Sequence, residues 1–429
     1  MKAAADSAED RSGNVRRMKR AVFIAHSWAS SSNGGAGIFM KVNVTLLKEM
    51  GLHVTLAVLS NSKDELAGAP GQDSYLEGVE FVRIEEPVPR RKTLIGRLTR
   101  QLSLEGWFPV ARYAPALKDL VNRIKPEIVI AYSHLALPAL RQVRNTPLLF
   151  VITQPPRLNY LYQTLLMNLS SANLVGKLKL LLQLPVHYWF LRRFELQIAG
   201  WATHVTCTDI TQSRHYTRLL GRECSRYRSP TPDILTNRPL ATPKKEGNRI
   251  VCVGKLAGTQ STSAFILLQD RLLGLLDARF GDKYSVHLLG GTALQRRVAK
   301  LARHPRVFLR GHIADVEPEL RAADVILVAN TLPFGYSARV RTALCVGAVI
   351  VVHTAVTRTI PELRHEHNCL VGRTPQELVD AIERCFTDTA LTWHLRGNAR
   401  ATYEKCFSPE AARGDFEALV NRTLREASA

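Results

Sequence analysis

The sequence predicts an α/β protein made of two doubly wound domains, each a parallel sheet with helices on both faces. Three observations carry that prediction. Short unbroken apolar runs alternate with stretches whose apolar residues recur at helical spacing, and the series occurs twice along the 429 residues. Strands covered on both faces show such runs rather than an in–out alternation. Several runs end in glycine or small polar residues, as at GGAG, GKL and PFGYS, where a turn from strand to helix brings backbone close to a ligand. A stretch rich in proline and charge, RSPTPDILTNRPLATPKKEGNR, parts the two series and reads as the interdomain connection.

The chain divides into a mobile basic tail over 1–19, an N-terminal domain over 20–235, a linker over 236–249, a C-terminal domain over 250–405 and a final helix over 406–429. Residues Ala21 to Ala25 form the first strand. The loop HSWASSSNGGAG follows, then a helix from about Ile38 to Met50 on which Phe39, Val42, Leu46, Leu47 and Met50 share a face. Gly34 and Gly35 stand at its start, where free amides meet a ligand. Gly51 closes the helix and His53 to Leu59 is the next strand. From Pro87 to Pro115 the alternation stops. Arg90, Arg91 and Lys92, followed by leucines and by Trp107 and Phe108, suit a segment lying in a membrane interface. They suit a solvated helix along the cleft equally well. Ile128 to Ala131 and Leu148 to Thr153 are further strands, and His134 falls just past the first of them, where a cleft residue belongs. The run KLKLLLQLPVHYWFLRRFE belongs either to the membrane-facing surface or to a core helix. Pro185 is expected to break it, which leaves too little to span a bilayer. Trp201 to Thr208 is another strand.

In the C-terminal domain, IVCVGKL from Ile250 is a strand entering a turn at Gly254 and Lys255. Phe265, Leu268, Leu272, Leu275 and Leu276 make a helix stripe. Tyr284 to Leu289 and Val307 to Gly311 are strands flanking a basic helix around Arg296 to Arg303, and Glu317 to Ala323 is a short helix. The densest signal follows: a strand from Val325 to Ala329, a loop with Pro333, Gly335 and Tyr336, a helix from Ser337 to Cys345, and a strand from Val349 to His353. Ser337 is the expected N-cap, and Arg339 and Arg341 lie one turn in, so this helix start is built to receive an anion. Helices over Thr374 to Phe386 and Pro409 to Leu424 complete the chain.

Composition narrows the partners. Hydrophobic residues at 46% and charged residues at 22% describe an ordinary globular chain, but a formal charge of +21 does not. Such a balance favours phosphorylated small molecules, an anionic membrane surface or nucleic acid. Sparse aromatics and the lack of any helix-turn-helix, zinc-finger or RNA-recognition signature argue against nucleic acid. Seven scattered cysteines without a CxxC pair fit a reducing compartment, and no cluster has the spacing of a metal site.

The segments GGAGIFMKVNVTLLKEMGLHVTL, PEIVIAYSHLALPAL, IVCVGKL, VFLRGHIADVEPELRAADVILV and ALCVGAVIVVHTA…IPELRHEHNCLVG, in this order, resemble the family-4 glycosyltransferases of the GT-B fold. The resemblance implies two Rossmann-like domains facing across a cleft, with a nucleotide-sugar donor held mainly by the second. It implies that Lys255 meets the donor diphosphate, that Gly335, Tyr336 and Ser337 offer N–H groups to the phosphates, and that Gly34 and Gly35 face them from the first domain. It further implies transfer to a glycan or lipid-linked hydroxyl acceptor with retention, without cofactor or metal, and a final helix that crosses back to the N-terminal domain.

The sequence departs from the family at defined points. The paired glutamates that hold the donor sugar and ribose should fall at Phe334 and Thr342, and no acid occurs between Asp324 and Glu362. GTQSTS replaces the second basic residue after Lys255, and Gln154 replaces a histidine after the strand ending at Thr153. Arg339 and Arg341 are candidates for the missing cation, Glu362 for a donor contact, and His134 for a catalytic residue on the sugar side. The expected function is a glycosyltransferase on the cytoplasmic face of the plasma membrane; the alternative is a degenerate GT-B protein that binds a partner in glycan assembly.

Overall fold

A computed structural model of the chain describes residues 19–25, 35–60, 77–85, 113–132, 145–169, 172–235, 247–291, 294–335 and 337–428. The N-terminal domain runs β1 (Arg20–Ala25), α1 (Gly35–Glu49), β2 (His53–Ser60), β3 (Glu80–Glu85), α2 (Ala114–Ile124), β4 (Ile128–Tyr132), β5 (Leu148–Ile152), α3 (Pro156–Gln163), α4 (Leu174–Ala199), β6 (His204–Cys207), α5 (Ile210–Leu220) and β7 (Ser225–Arg226). Its strands pair in parallel in the order β3-β2-β1-β4-β5-β6-β7.

The C-terminal domain runs β8 (Arg249–Val253), α6 (Thr259–Leu267), α7 (Leu273–Phe280), β9 (Ser285–Leu289), β10 (Val307–Gly311), α8 (Glu317–Arg321), β11 (Val325–Val328), α9 (Ala338–Cys345), β12 (Ile350–His353), α10 (Thr354–Thr359), β13 (Leu370–Gly372), α11 (Pro375–Thr387) and α12 (Thr389–Cys406), and α13 (Pro409–Ser428) follows. Its parallel order is β10-β9-β8-β11-β12-β13.

The inner strands of both sheets are buried on both faces, which is why they read as unbroken apolar runs. Along β1, Val22 and Ile24 join the core built with α2 and α4, while Ala21, Phe23 and Ala25 join the core built with α1. In β8, Ile250 and Cys252 face one layer and Val251 the other. The final helix completes the first domain, not the second. Ala412, Phe416, Leu419 and Val420 of α13 pack in the same cluster as Phe23 and Phe39. Tyr227 Oη donates to Asn43 Oδ1 at 2.7 Å beneath it.

The crossing between domains begins before residue 236. Arg341 Nη1 donates to Ser229 Oγ at 3.0 Å and to the Pro230 carbonyl at 3.1 Å, and Tyr403 Oη donates to the Thr231 carbonyl at 2.8 Å. Leu235 is buried in the C-terminal core. Arg341, expected from the sequence to face an anion, is instead buried against this connecting segment, where its Nη1 donates to Ser229 and the Pro230 carbonyl.

Other elements differ from the sequence reading. α4 continues through Pro185 for 26 residues. Proline forfeits one helical hydrogen bond, and a helix this long on the surface can leave the freed carbonyl to water. No helix among the described residues is long and apolar enough to cross a membrane. β3, β7, α2, α10 and α12 were not legible as separate elements. The 1–18 portion of the tail and linker residues 236–246 lie outside the described residues, as do Arg90, Arg91, Lys92, Trp107 and Phe108.

Candidate functional site

In an open parallel sheet, ligands lodge beyond the carboxyl ends of the strands, where the strand order reverses. Here the reversals lie between β1 and β4 and between β8 and β11. Gly35, the first residue of α1, follows β1; Gly34 and His134 lie outside the described residues. Gly254 and Lys255 follow β8, while Gly335, Ser337 and Arg339 follow β11. The sequence therefore distributes its candidates over the two reversals.

The C-terminal half of the site is built around Arg339. Its guanidinium crosses the end of β8 so closely that a Cβ on Gly254 would stand 2.6 Å from Nη2, and Gly254 has φ +135°, a conformation that side chains rarely adopt. Nη2 donates to Ser261 Oγ at 3.0 Å. No carboxylate pairs with Arg339 among the described residues, and burial pulls its pKa down to about 10. Beside it, Lys255 is exposed and its ammonium makes no hydrogen bond or ion pair among the described residues. Ser337 occupies the N-cap position of α9 without bonding back to the helix, and its buried Oγ has no partner among the described residues. A half-buried cation and an idle hydroxyl thus stand together at a helix start, an arrangement that can receive an anion.

Gly335 sits at φ +91°, boxed by the Gln260 amide, 3.1 Å from where its Cβ would be, and by the Gln154 amide at 3.8 Å. Its N–H, expected to meet a phosphate, donates across the cleft to Asp209 Oδ2 at 3.2 Å. Asp209 caps α5, accepting from Thr211 N at 2.7 Å through its other oxygen. Burial raises its carboxyl to about 6, with the bonds from Thr211, Gln212 and Gly335 opposing the rise. Two further contacts join the lobes at this level: Thr259 Oγ1 donates to Asn159 Oδ1 at 3.2 Å, and Phe334 stacks on Tyr162 with ring centroids 5.3 Å apart. Tyr336 lies outside the described residues.

The positions of the missing acids have other uses. Phe334 is buried in the Tyr162 stack, and Thr342 Oγ1 donates to the Ala338 carbonyl within α9. Glu362 is engaged by another partner: both its oxygens accept from Arg226 of β7, at 2.8 Å each, in a fork across the two domains. Asp209, Gln260 and Ser261 were not singled out in the sequence. The motif TDIT just after a strand signals a cap at Asp209, but its reach to Gly335 depends on how the lobes close.

Residues 247–388, most of the C-terminal domain, match the family model described as glycosyl transferases group 1, in agreement with the resemblance read from the sequence. No curated protein matches the chain by sequence. Among solved structures it is similar to sucrose-phosphate synthase from Thermosynechococcus elongatus, with 15% identity over 94% of this chain and 98% of that one and a TM-score of 0.67. It is similar to Anabaena HepE in complex with UDP-glucose, with 15% identity, 94% and 99% coverage and a TM-score of 0.63. An E. coli structure described as trehalose-6-phosphate bound with UDP-2-fluoro glucose gives 12% identity, 95% and 99% coverage and a TM-score of 0.65. The fold is therefore GT-B, two Rossmann-like domains across a cleft.

Proposed function

We propose that the protein is a glycosyltransferase that moves a sugar from a nucleotide-sugar donor to a hydroxyl acceptor, lipid-linked or on a surface glycan, with retention of configuration. The observation that carries this reading is the Arg339 guanidinium, half-buried and without a carboxylate partner among the described residues, between the ends of β8 and β11. As the bond to the anomeric carbon breaks, negative charge grows on the departing diphosphate. Arg339, Lys255, the Ser337 hydroxyl and the first amides of α9 are placed to meet it before it forms, which is how fixed charges lower such barriers. Arg339 thus takes over the role of the basic residue missing after Lys255. The scheme calls for no cofactor, and side-chain cations serve where other transferases use a metal. HepE and the E. coli protein are described with UDP-sugars, which makes a nucleotide-sugar the donor class to test first.

The acceptor reading draws on α4. Leu174, Val175, Leu178, Leu181, Leu182, Val186 and Trp189 are exposed, Leu174 by 82%, and Lys177 and Lys179 lie among them. Apolar side chains interspersed with bases suit the inner, anionic face of the plasma membrane.

A second reading, a binding protein without turnover, is favoured by the Gly335 amide held on Asp209 and by the occupied acid positions at Phe334 and Thr342. Hydrolysis and transfer with a panel of UDP-, GDP- and ADP-sugars, run alongside nucleotide-induced thermal shifts, separate the two. Turnover with any donor supports the transferase; shifts without turnover favour the binding protein; inertness in both refutes the donor site.

A further inference from the structure

Beside the lobe contacts at Gly335 and Phe334, a cavity of about 490 Å³ opens between α3, α4 and α5, closed on one side by Pro333 of the β11–α9 loop. Its wall is basic. Arg214 and Arg218, one turn apart on α5, line it; both are exposed and neither is ion-paired among the described residues. Arg157, only 3% exposed, also lines it, with one nitrogen on Glu195 and the other 2.5 Å from His215 Nε2. Among the described residues, two acids interact with this wall. Glu195 is buried, shared between Arg157 and Tyr216, and pushed up to about 7 by that burial. Asp209 directs its oxygens to Thr211 and Gly335. Burial and the cations Arg157, Arg192 and Arg218 hold His215 below its usual pKa.

A second observation points to an occupant. Gln212 lines the cavity, is 6% exposed, and its Oε1 has no partner among the described residues. Buried amides are ordinarily satisfied, and this one can turn either end toward a ligand. Excess guanidinium with an idle amide matches the oxygens of a phosphate, which arginine forks grip in pairs.

We propose that this cavity binds a phosphate-bearing ligand through Arg214, Arg218, Arg157 and Gln212, a set that shares no cation with the donor site at Lys255 and Arg339. The source of the phosphate is either a soluble ester or a lipid headgroup, the latter because Tyr188 at the rim belongs to α4, whose outer turns are apolar and exposed.

The test is calorimetric titration of inorganic pyrophosphate and, separately, of dihexanoyl phosphatidic acid below its micelle concentration. The proteins are wild type, K255A, R214A/R218A and the charge-retaining R214K/R218K. Saturable binding that K255A keeps, that R214A/R218A weakens by about 100-fold, and that R214K/R218K partly restores is the expected result, at roughly tenfold per charge-assisted contact. Binding of the lipid alone assigns the site to a headgroup, and binding of pyrophosphate alone to a soluble ester. The proposal is overturned if wild type binds neither, if R214A/R218A binds as wild type does, or if K255A alone abolishes binding. The replaced arginines are exposed, so an unchanged melting temperature is expected, and the lysine pair tests charge even if it shifts.

Discussion

Replacing Arg339 with methionine should make the protein more stable and worse at holding a nucleotide. The guanidinium is pulled below its ordinary value to about 10 by burial, with Ser261 as its hydrogen-bonding partner. At 1.36 kcal/mol per unit, keeping that charge costs at most about 3 kcal/mol, less whatever solvent still reaches a side chain that is only partly covered. The sign follows from the direction. A base whose pKa is lower folded than unfolded destabilises the fold at every pH below its folded pKa, and the penalty fades as pH rises past about 10. Methionine fills similar space without charge, so R339M should raise the melting temperature of the free protein by several degrees at pH 7, at about 2–4 °C per kcal/mol for a domain of this size. The same change removes one charge-assisted phosphate contact, worth about 1.5–3 kcal/mol, so nucleoside-diphosphate affinity should fall about 10- to 100-fold. Scanning calorimetry and nucleotide titration read the two effects separately. A variant that melts lower than wild type, or binds nucleotide equally well, would refute the view that this cation is kept for a ligand.

Three further outcomes follow from the geometry. Across the domains, R226A and E362A should each cost about 2 kcal/mol in urea unfolding, because either truncation strands a largely buried partner; the double variant should cost little more than one, and additive losses would contradict the pairing. Asp209 is raised to about 6, so the folded state binds its proton first and wild type should gain on D209N as pH falls from 6.5 to 4, by up to about 3 kcal/mol; parallel pH profiles would show that Asp209 is not the group responsible. On α4, L178Q/L181Q/L182Q should lower binding to phosphatidylglycerol vesicles by at least about 100-fold, at about 1 kcal/mol or more per leucine, and undiminished co-sedimentation would exclude this helix from the contact.

Much of the fold was legible because each buried strand had to be apolar along its whole length, as Ile128 to Tyr132 and Leu148 to Ile152 are. β3 was missed because EFVRIE alternates at the sheet edge, and β7 because two residues carry no period. α4 was cut at Pro185 by a local rule that the surface position relaxes. The positions of Lys255, Gly335 and Ser337 just past β8 and β11 were readable from sequence, whereas the bond from the Gly335 N–H to Asp209 was not. Nor were the different fates of Arg339 and Arg341. They flank Val340, two residues apart in the first turn, and only the packing of α9 sends one toward Gly254 and the other toward Ser229. Asp209 illustrates the same limit, since a cap is a local property and a bond to Gly335 joins residues 126 positions apart.

The packing of α13 on the first sheet has a consequence for synthesis. Phe416, Leu419 and Val420 fill the layer that Phe23 and Phe39 begin, so the earlier domain waits for residues made almost 400 positions later. A nascent chain halted at the linker presents an open greasy face, and the second domain can close its own core before the first can. Cutting the protein between its lobes should therefore yield one half that holds together and one that needs its distant helix returned to it.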